Sequence, residues 1–576
     1  MQAQATEPVT GTERPPTDWQ SVDWRKANRM VRNLRQRIFR ATQADDWNKV
    51  RSLQKLMLRS YSNTLVSVRR VAQENTGKRT PGVDKLVVKT PALRGRLVDL
   101  LMTSQPWRAR PARRIYIPKA NSKLRPLGIP TILDRCLQAR VKNALEPSWE
   151  ARFEGTSYGF RPGRGCHDAI GRVYRMARSN TTKPWVVDAD IKGAFDHISH
   201  RHLLNTIGDV PGKELIKQWL KAGYVDNGVF FETDEGTPQG GVASPLLANI
   251  ALHGMEEALG VTYDKRGQTI GTRGLAKYAD DFVVFCQTRE DAEQVIRILT
   301  TWLAERGLTL SPEKTRIVHL DEGFDFLGYH VRQHKDLRTR TGRKLLIRPS
   351  KEAVKKLRDT LKAIWIEHKG KATVTVCQKL NPIIRGWANY HRVVVSYRTF
   401  RALDDWMFKR ACQWARHRHP KKPISWRSQR YWGRLNRMRA DNWVFGDKRS
   451  GCYLLKFRWF QPRWHAMVKG TASPDDPRLR EYWQRRLAAK AAGLKFKQQR
   501  LARNQNFRCM VCGEALCNDE ELQIHHLLPK GDPQRNEERY QKLIHLLCHQ
   551  QLTKAQLQSN KRHTQSGAGA EGVAQP

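Results

Sequence analysis

Acidic charge is what this chain has little of. Its 576 residues hold 55 Asp and Glu against 104 Lys and Arg, a net charge of +49. Such a field holds a polyanion over a long surface, with binding that weakens steeply in salt. Long hydrophobic runs are also missing. None approaches the ~20 apolar residues of a membrane-spanning helix, which excludes the main competing class for a cationic chain. The first residues, Met1 to Asp18, are polar and rich in Pro and Thr, without the apolar core of a signal peptide; residues 1–20 read as a disordered leader. Cysteine is sparse. Six of ten, Cys136, Cys166, Cys286, Cys377, Cys412 and Cys452, lie singly in ordinary segments, which argues against a disulfide framework and suits reduced thiols inside a cell. The other four crowd into the last 70 residues and need their own explanation.

The basic residues run through the whole length, and 18 Trp scattered among them add flat surfaces on which bases stack. The length predicts several domains. Residues 24–75 are predicted helical from apolar positions Val31, Leu34, Ile38, Val50, Leu53, Leu56 and Met57 at three- and four-residue steps, with a further helix near 91–103. Residues 113–130 read as two strands around an Ala-Asn-Ser turn, with Lys119 and Arg125 beside it to hold a triphosphate; taken alone, a basic hairpin on a basic protein competes. In Gly236–Pro245, a flexible loop ends at a helix start with Ser244 as N-cap and Pro245 as first helical residue. Gly240 and Gly241 there would let backbone approach a ligand closely.

The acids that do occur are placed pointedly. In Leu275–Phe285, Asp280 and Asp281 sit side by side between an apolar run and a β-rich run, two strands joined by a tight acidic turn. Adjacent bare carboxylates at a strand tip are unfavourable without a cation, and a pair of Mg²⁺ ions answers that need; a solvated hairpin turn is the competing reading. In Lys183–Asp196, Val187, Ala189 and Ile191 face one way along a strand and Asp188 and Asp190 the other. An acid ending a buried strand makes a poor core and a good site. A helix over 291–306 and strands over 315–320 and 324–331 complete an expected α+β palm.

In chain order, Ile117-Pro-Lys119, Tyr158–Pro162, Asp190 with Phe195, Thr237–Gly240, Tyr278–Asp281, Ser311–Lys314 and Phe326-Leu-Gly328 resemble the group II intron-encoded proteins: reverse transcriptase, maturase and a C-terminal HNH endonuclease. The resemblance covers nearly the whole chain. It implies a multidomain fold: fingers extended by N-terminal helices (21–90), an α+β right-hand fingers and palm (91–345), an α-helical thumb or maturase domain (346–470), a basic DNA-binding linker (471–504), a small zinc-bound ββα-metal domain (505–563) and a disordered tail (564–576). It implies that Asp190 and Asp280 bind two Mg²⁺ with Asp281 in support, that Lys119 and Arg125 neutralise a dNTP, that Gln239 contacts it, and that Phe195 lies under its sugar and rejects a 2′-hydroxyl. In the maturase region, Asn381–Arg392 is the strongest match, with Arg385 and Arg392 set toward intron RNA; Tyr397, Phe400, Leu403 and Met407 follow at helical spacing and read mainly as packing. His417–Pro423 reads as an exposed basic loop, and Ser473–Arg486 as a loop passing into a basic helix.

The terminal cysteines begin with a knuckle turn, Cys509-Met-Val-Cys-Gly513, and Cys548 lies 36 residues past Cys512. By the family pattern His545 is the fourth Zn²⁺ ligand, with Cys517 as runner-up. By resemblance, His526 is the general base of a nuclease, and His525 and His549 hold its divalent ion. Relatives carry an Asn shortly before the last ligand group; here the nearest is Asn536, several residues early. The implied partners are the chain's own intron RNA, target DNA and dNTPs, with no membrane and a bacterial cytoplasm or an organelle as the setting; the oligomeric state, a homodimer among the choices, stays open. Two other classes stay open: a splicing-only maturase, which would show eroded acids, and a reverse transcriptase whose nuclease is inactive.

Overall fold

The computed structural model describes residues 15–103, 107–118, 124–264, 267–436, 438–491, 493–518, 520–529 and 531–554. Most of the leader, the tail and Lys119 lie outside them. Three helices open the described chain, Trp24–Gln43, Trp47–Arg59 and Tyr61–Arg69. Each starts where Asp23, Asp46 or Ser60 accepts a hydrogen bond from an amide three residues on, the ordinary N-cap device. Val31, Leu34, Ile38, Val50, Leu53 and Met57 form one buried cluster, as the periodicity predicts, whereas Leu56 is turned outward at 48% exposure. The end of the leader departs from expectation. Trp19 is buried, and Thr17 bonds through its amide and hydroxyl to Asp99 on the helix Pro91–Met102. An indole in contact with Trp24 is removed from water and fixes this segment.

The palm is a four-stranded antiparallel sheet in the order Arg316–His319, Trp185–Asp190, Asp281–Cys286, Arg273–Tyr278. Both faces are covered, because successive side chains point to opposite sides. Val187, Ala189 and Val284 belong to one core, which runs into the N-terminal helices; Val186, Val283 and Phe285 belong to another, which reaches Phe324, Phe326 and Tyr329. A second sheet, Leu124–Ile129, Ala112–Pro118, Tyr224–Asp226 and Val229–Phe231, stands where the fingers are expected.

Three helices, Lys351–Glu367, Thr373–His391 and Tyr397–Arg418, pack around a separate core where the thumb is expected. Phe400, Leu403 and Met407 are buried in it, but Tyr397 is 63% exposed. The expected loop at His417 is shorter, since the helix runs to Arg418 and closes where the His419 amide reaches the Ala415 carbonyl. From there the chain folds back over the palm. The segment 471–504 is more than a cationic linker: Arg35 on the first helix takes Asp475 through two hydrogen bonds of 2.9 and 2.7 Å, and Trp483 lies where a Cβ on Gly163 would meet its ring at 2.5 Å. The chain closes with the strands Leu522–His526 and Gln541–His545 and a helix over 546–554. Among the described residues, no helix is long and apolar enough to cross a membrane.

Candidate active site and metal centre

Three carboxylates meet where two palm strands end. The register pairs Asp190 with Asp281 and Tyr278 with Asp281. Asp280 occupies the turn between them, which Ala279 makes possible by a left-handed φ of 60°. That conformation is unfavourable for a residue with a Cβ and has to be held from outside. Gly159 does so: a Cβ there would stand 2.4 Å from the Ala279 amide nitrogen, so only glycine lets the Tyr158–Pro162 loop pack under the turn. Two backbone bonds complete the frame, Ile191 amide to Asp280 carbonyl (3.2 Å) and Ser311 amide to Asp190 carbonyl (2.8 Å). Ser311 brings its neighbour Lys314 in, whose Nζ sits 2.5 Å from Asp190 Oδ2.

The charges do not balance. Burial, reinforced by Asp188, Asp190 and Asp280, pushes Asp281 up to about 7. Asp280 is also raised, mainly by burial and then by Asp190, while Arg125 and Lys314 pull it back. Asp188 is raised by burial against its partner Arg316, 3.0 Å away. Hard oxygen donors at a half-buried, over-negative point suit a divalent cation such as Mg²⁺.

Around the acids, Arg125 is exposed on its fingers strand and Phe195 is half-buried, its ring edge-on to Phe160 at 6.1 Å. Gln239 ties the two walls together: Nε2 donates to Asp196 Oδ2 at 3.0 Å, and its carbonyl accepts from the Gly128 amide at 2.8 Å. One expectation for this loop needs correcting. Ser244 lies inside the helix Ser244–Ala251, and its hydroxyl donates to the Pro238 carbonyl (2.9 Å) instead of capping it. A Cβ on Gly240 or Gly241 would meet the Gly128 carbonyl or the Ser244 hydroxyl, so both glycines also serve packing within the protein.

Sequence reasoning missed the support beneath the turn. Lys277 is 1% exposed; its Nζ donates to the Leu252 carbonyl at 2.5 Å and lies 3.8 Å from Glu154, which also takes the Gly254 amide. Arg161 forms a bidentate pair with Glu150 at 2.9 and 3.0 Å, both side chains 1% exposed. A lysine at a core-facing position of an apolar strand is the signal that a buried partner exists. Phe160 was also missed; it holds φ 59° at 48% exposure, an aromatic presented at the site by a costly backbone.

At the other end of the chain, Cys509, Cys512, His545 and Cys548 are all buried and bring their ligand atoms within 4.8 Å of one another. His545 Nε2 lies 3.1 Å from the Ala515 carbonyl, which fixes the proton there and leaves Nδ1 facing the sulfurs. Three thiols and an imidazole in a dry tetrad are a donor set for Zn²⁺; Cys517 is outside the group. His525 and His549 are ring neighbours at 5.3 Å, and His526, next on the strand, is close enough that His525 and His549 each share its electrostatic field. Asn536 is exposed, and its carbonyl accepts from Gln541 Nε2 at 3.2 Å. In the thumb, Arg385 is exposed and Arg392 donates to the Gln461 carbonyl (2.9 Å) and Asn389 (3.2 Å).

Comparison with known proteins agrees with this layout. A model of the N-terminal domain of reverse transcriptase matches residues 19–101, one of reverse transcriptase (RNA-dependent DNA polymerase) matches 117–331, and one of the group II intron maturase-specific domain matches 354–432. Protein YkfC of Escherichia coli K12 is 35% identical over 317 residues, covering 48% of this chain and 82% of its own. The group II intron-encoded protein LtrA of Lactococcus lactis is 34% identical over 283 residues, covering 38% and 47%. Maturase-like protein 1 of Euglena gracilis is 23% identical over 397 residues, covering 68% and 80%. The chain thus spans most of YkfC and about half the length of LtrA.

Proposed function

The chain belongs to the family of group II intron-encoded reverse transcriptases and maturases, and from that premise we propose that it copies RNA into DNA, assists splicing of its own intron RNA and supports insertion of that intron into target DNA. The observation that carries the polymerase reading is the cluster of Asp190, Asp280 and Asp281, which holds more negative charge than Lys314 and Arg125 offset. Asp190 and Asp280 would hold two Mg²⁺, with Asp281 in support. When bound, such ions activate a primer 3′-hydroxyl and offset charge on the leaving pyrophosphate. The protein's own part is positioning. Lys314 keeps Asp190 turned into the site, Lys119 and Arg125 offset the triphosphate, and Gln239, braced by Asp196, contacts the nucleotide. Phe195, backed by Phe160, takes the sugar and leaves no room for a 2′-hydroxyl.

Downstream, the basic thumb with Arg385 and Arg392 would lie along intron RNA. Cys509, Cys512, His545 and Cys548 would hold Zn²⁺, which supplies a crosslink to a domain too small for a large core. Within that domain His526 would be the base of a nuclease, and His525 and His549 would hold its divalent ion. A reverse transcriptase with an inactive nuclease is the second reading. The distance of Asn536 along the chain from the ligand group favours it. The protein would act in a bacterial cytoplasm or an organelle, as a homodimer or alone.

One experiment separates these readings. The protein bound to its intron RNA is given a labelled duplex bearing the ligated exon junction, Mg²⁺ and dNTPs, and nicking and extension are scored separately. Extension lost in Asp280→Ala and nicking lost only in His526→Ala are expected for the full activity. Extension from a supplied primer without any nick selects the inactive nuclease. No extension from any primer overturns the polymerase reading.

A further inference from the structure

The Cys₃His group lies against the start of the described chain. Arg69, the last residue of the third helix, is 4% exposed. Its guanidinium reaches Glu74 Oε1 with Nε at 2.9 Å and Cys548 Sγ with Nη2 at 3.2 Å, beneath the Trp24 ring whose centroid is 4.6 Å away. The knuckle turn is gripped by the first helix. Asn28 Nδ2 donates to the Cys512 carbonyl at 3.0 Å, and Arg32 Nη2 to Glu514 Oε1 at 2.5 Å. From the closing helix, Gln551 Nε2 donates to the carbonyls of Gln20 (2.9 Å) and Val22 (3.2 Å). Leu501, Ala502, Leu516, Leu543 and Ile544 share one continuous core with Trp19, Trp24, Ala27, Leu65 and Val68.

We propose that Arg69 is a positioning residue for the Cys₃His metal group, and that loading of that group locks the N-terminal helices of the polymerase onto the C-terminal module. The inference rests on the zinc reading above. Zn²⁺ with three thiolates and a neutral imidazole carries a single net negative charge, which a buried site has to offset. Arg69 supplies the counter-charge from a different domain. The donated hydrogen bond is strong only to a thiolate, because ionised acceptors hold N–H donors about twice as well as neutral ones. When the metal leaves and the thiols take up protons, Arg69 stays paired with Glu74, but its Nη2 donor loses an ionised acceptor and the charge-assisted bond that joins the two modules is lost. Metal occupancy some 480 residues along the chain from Asn28 and Arg32 thereby controls the order of helices that belong to the polymerase.

The test uses the full-length chain, freed of metal by chelation and titrated with Co²⁺ or Zn²⁺. Co²⁺ reports its ligands through the thiolate charge-transfer and d–d bands, and hydrogen exchange reports each segment separately. Chelation is expected to speed exchange in residues 24–43 and 61–74 together with 505–554, and to leave the thumb helices 351–418 unchanged. Arg69→Met is expected to weaken metal binding by roughly tenfold to a hundredfold, as loss of an outer hydrogen bond to a ligand does, and to move the charge-transfer band. Arg69→Lys recovers part of both. Asn28→Ala removes only the Cys512 carbonyl contact and is expected to reduce the metal-dependent protection of residues 24–43, so the coupling is readable even if Arg69→Met fails to fold. An unchanged affinity and spectrum in Arg69→Met, or chelation that opens 505–554 alone, overturns the proposal. Absence of any Co²⁺–thiolate band in the wild-type chain overturns the zinc reading itself.

Discussion

Arg161→Met should damage the polymerase site without touching substrate. The guanidinium donates to both Glu150 oxygens at 2.9 and 3.0 Å and to the Glu154 and Ser157 carbonyls at 2.6 and 3.0 Å. Charge-assisted hydrogen bonds contribute about 1.5–3 kcal/mol each, and breaking a buried pair leaves a stranded charge, for a total near 3–5 kcal/mol. In a unit the size of the fingers and palm, this is a fall of roughly 6–20 °C in the transition temperature. The same loop carries Gly159 under the acidic turn, so a shift of order 1 Å there should cost about a hundredfold in turnover. The pH dependence has a definite direction. Glu150 is raised above the usual carboxylate range by burial, with Arg161 pulling it back. Without Arg161 its folded pKa rises further, so the added instability is greatest at neutral pH and fades as pH falls toward the ordinary glutamate value of about 4.3. Thermal unfolding and primer extension from pH 8 to 5, with Glu150→Gln and the double variant, close the cycle. The double variant should cost less than the two singles together. A single variant within about 1 kcal/mol of wild type, or a gap that widens on acidification, refutes the argument.

Two further outcomes follow from the same geometry. Gly159→Ala would set its Cβ 2.4 Å from the Ala279 backbone, where no flexible group can give way; extension should fall at least about tenfold, while binding of intron RNA, measured by filter retention, stays unchanged. His391, 2% exposed against Tyr329 and Trp387, is pulled down to about 3, first by burial and then by His167. Its folded pKa lies below the unfolded value of about 6.5, so the stability of the palm and thumb is whole above that pH and is lost on acidification. Thermal scans should show His391→Gln losing less than wild type between pH 6.5 and 4.

The parts of the molecule that sequence exposes are those whose logic is local. The apolar stripes of the N-terminal helices and the acids closing buried strands each follow from a period or a turn within a dozen residues. The knuckle pair Cys509 and Cys512 belongs with them, whereas the fourth donor is open in the sequence between His545 and Cys517, and it is the fold that gathers His545 with Cys509, Cys512 and Cys548. Ser244 shows where the local rule stops: a serine before proline has the form of an N-cap, yet its hydroxyl is taken by Pro238 in a turn whose close packing no window of residues reveals.

What stayed hidden is long-range and charged. Lys277, Arg161 and Arg69 each look like one more basic residue in a chain with a net charge of +49, and each is nearly fully buried with its own acceptor. Composition treats all 104 cations alike, but two populations are present. Arg385 and others like it stay in solvent, where the hold of a bound polyanion would weaken in salt. The buried ones fasten the Tyr158–Pro162 loop, the acidic turn and the Cys₃His module to one another at low dielectric, where salt screens little. High salt should therefore release nucleic acid from this protein long before it loosens the frame that places Asp190, Asp280 and Asp281.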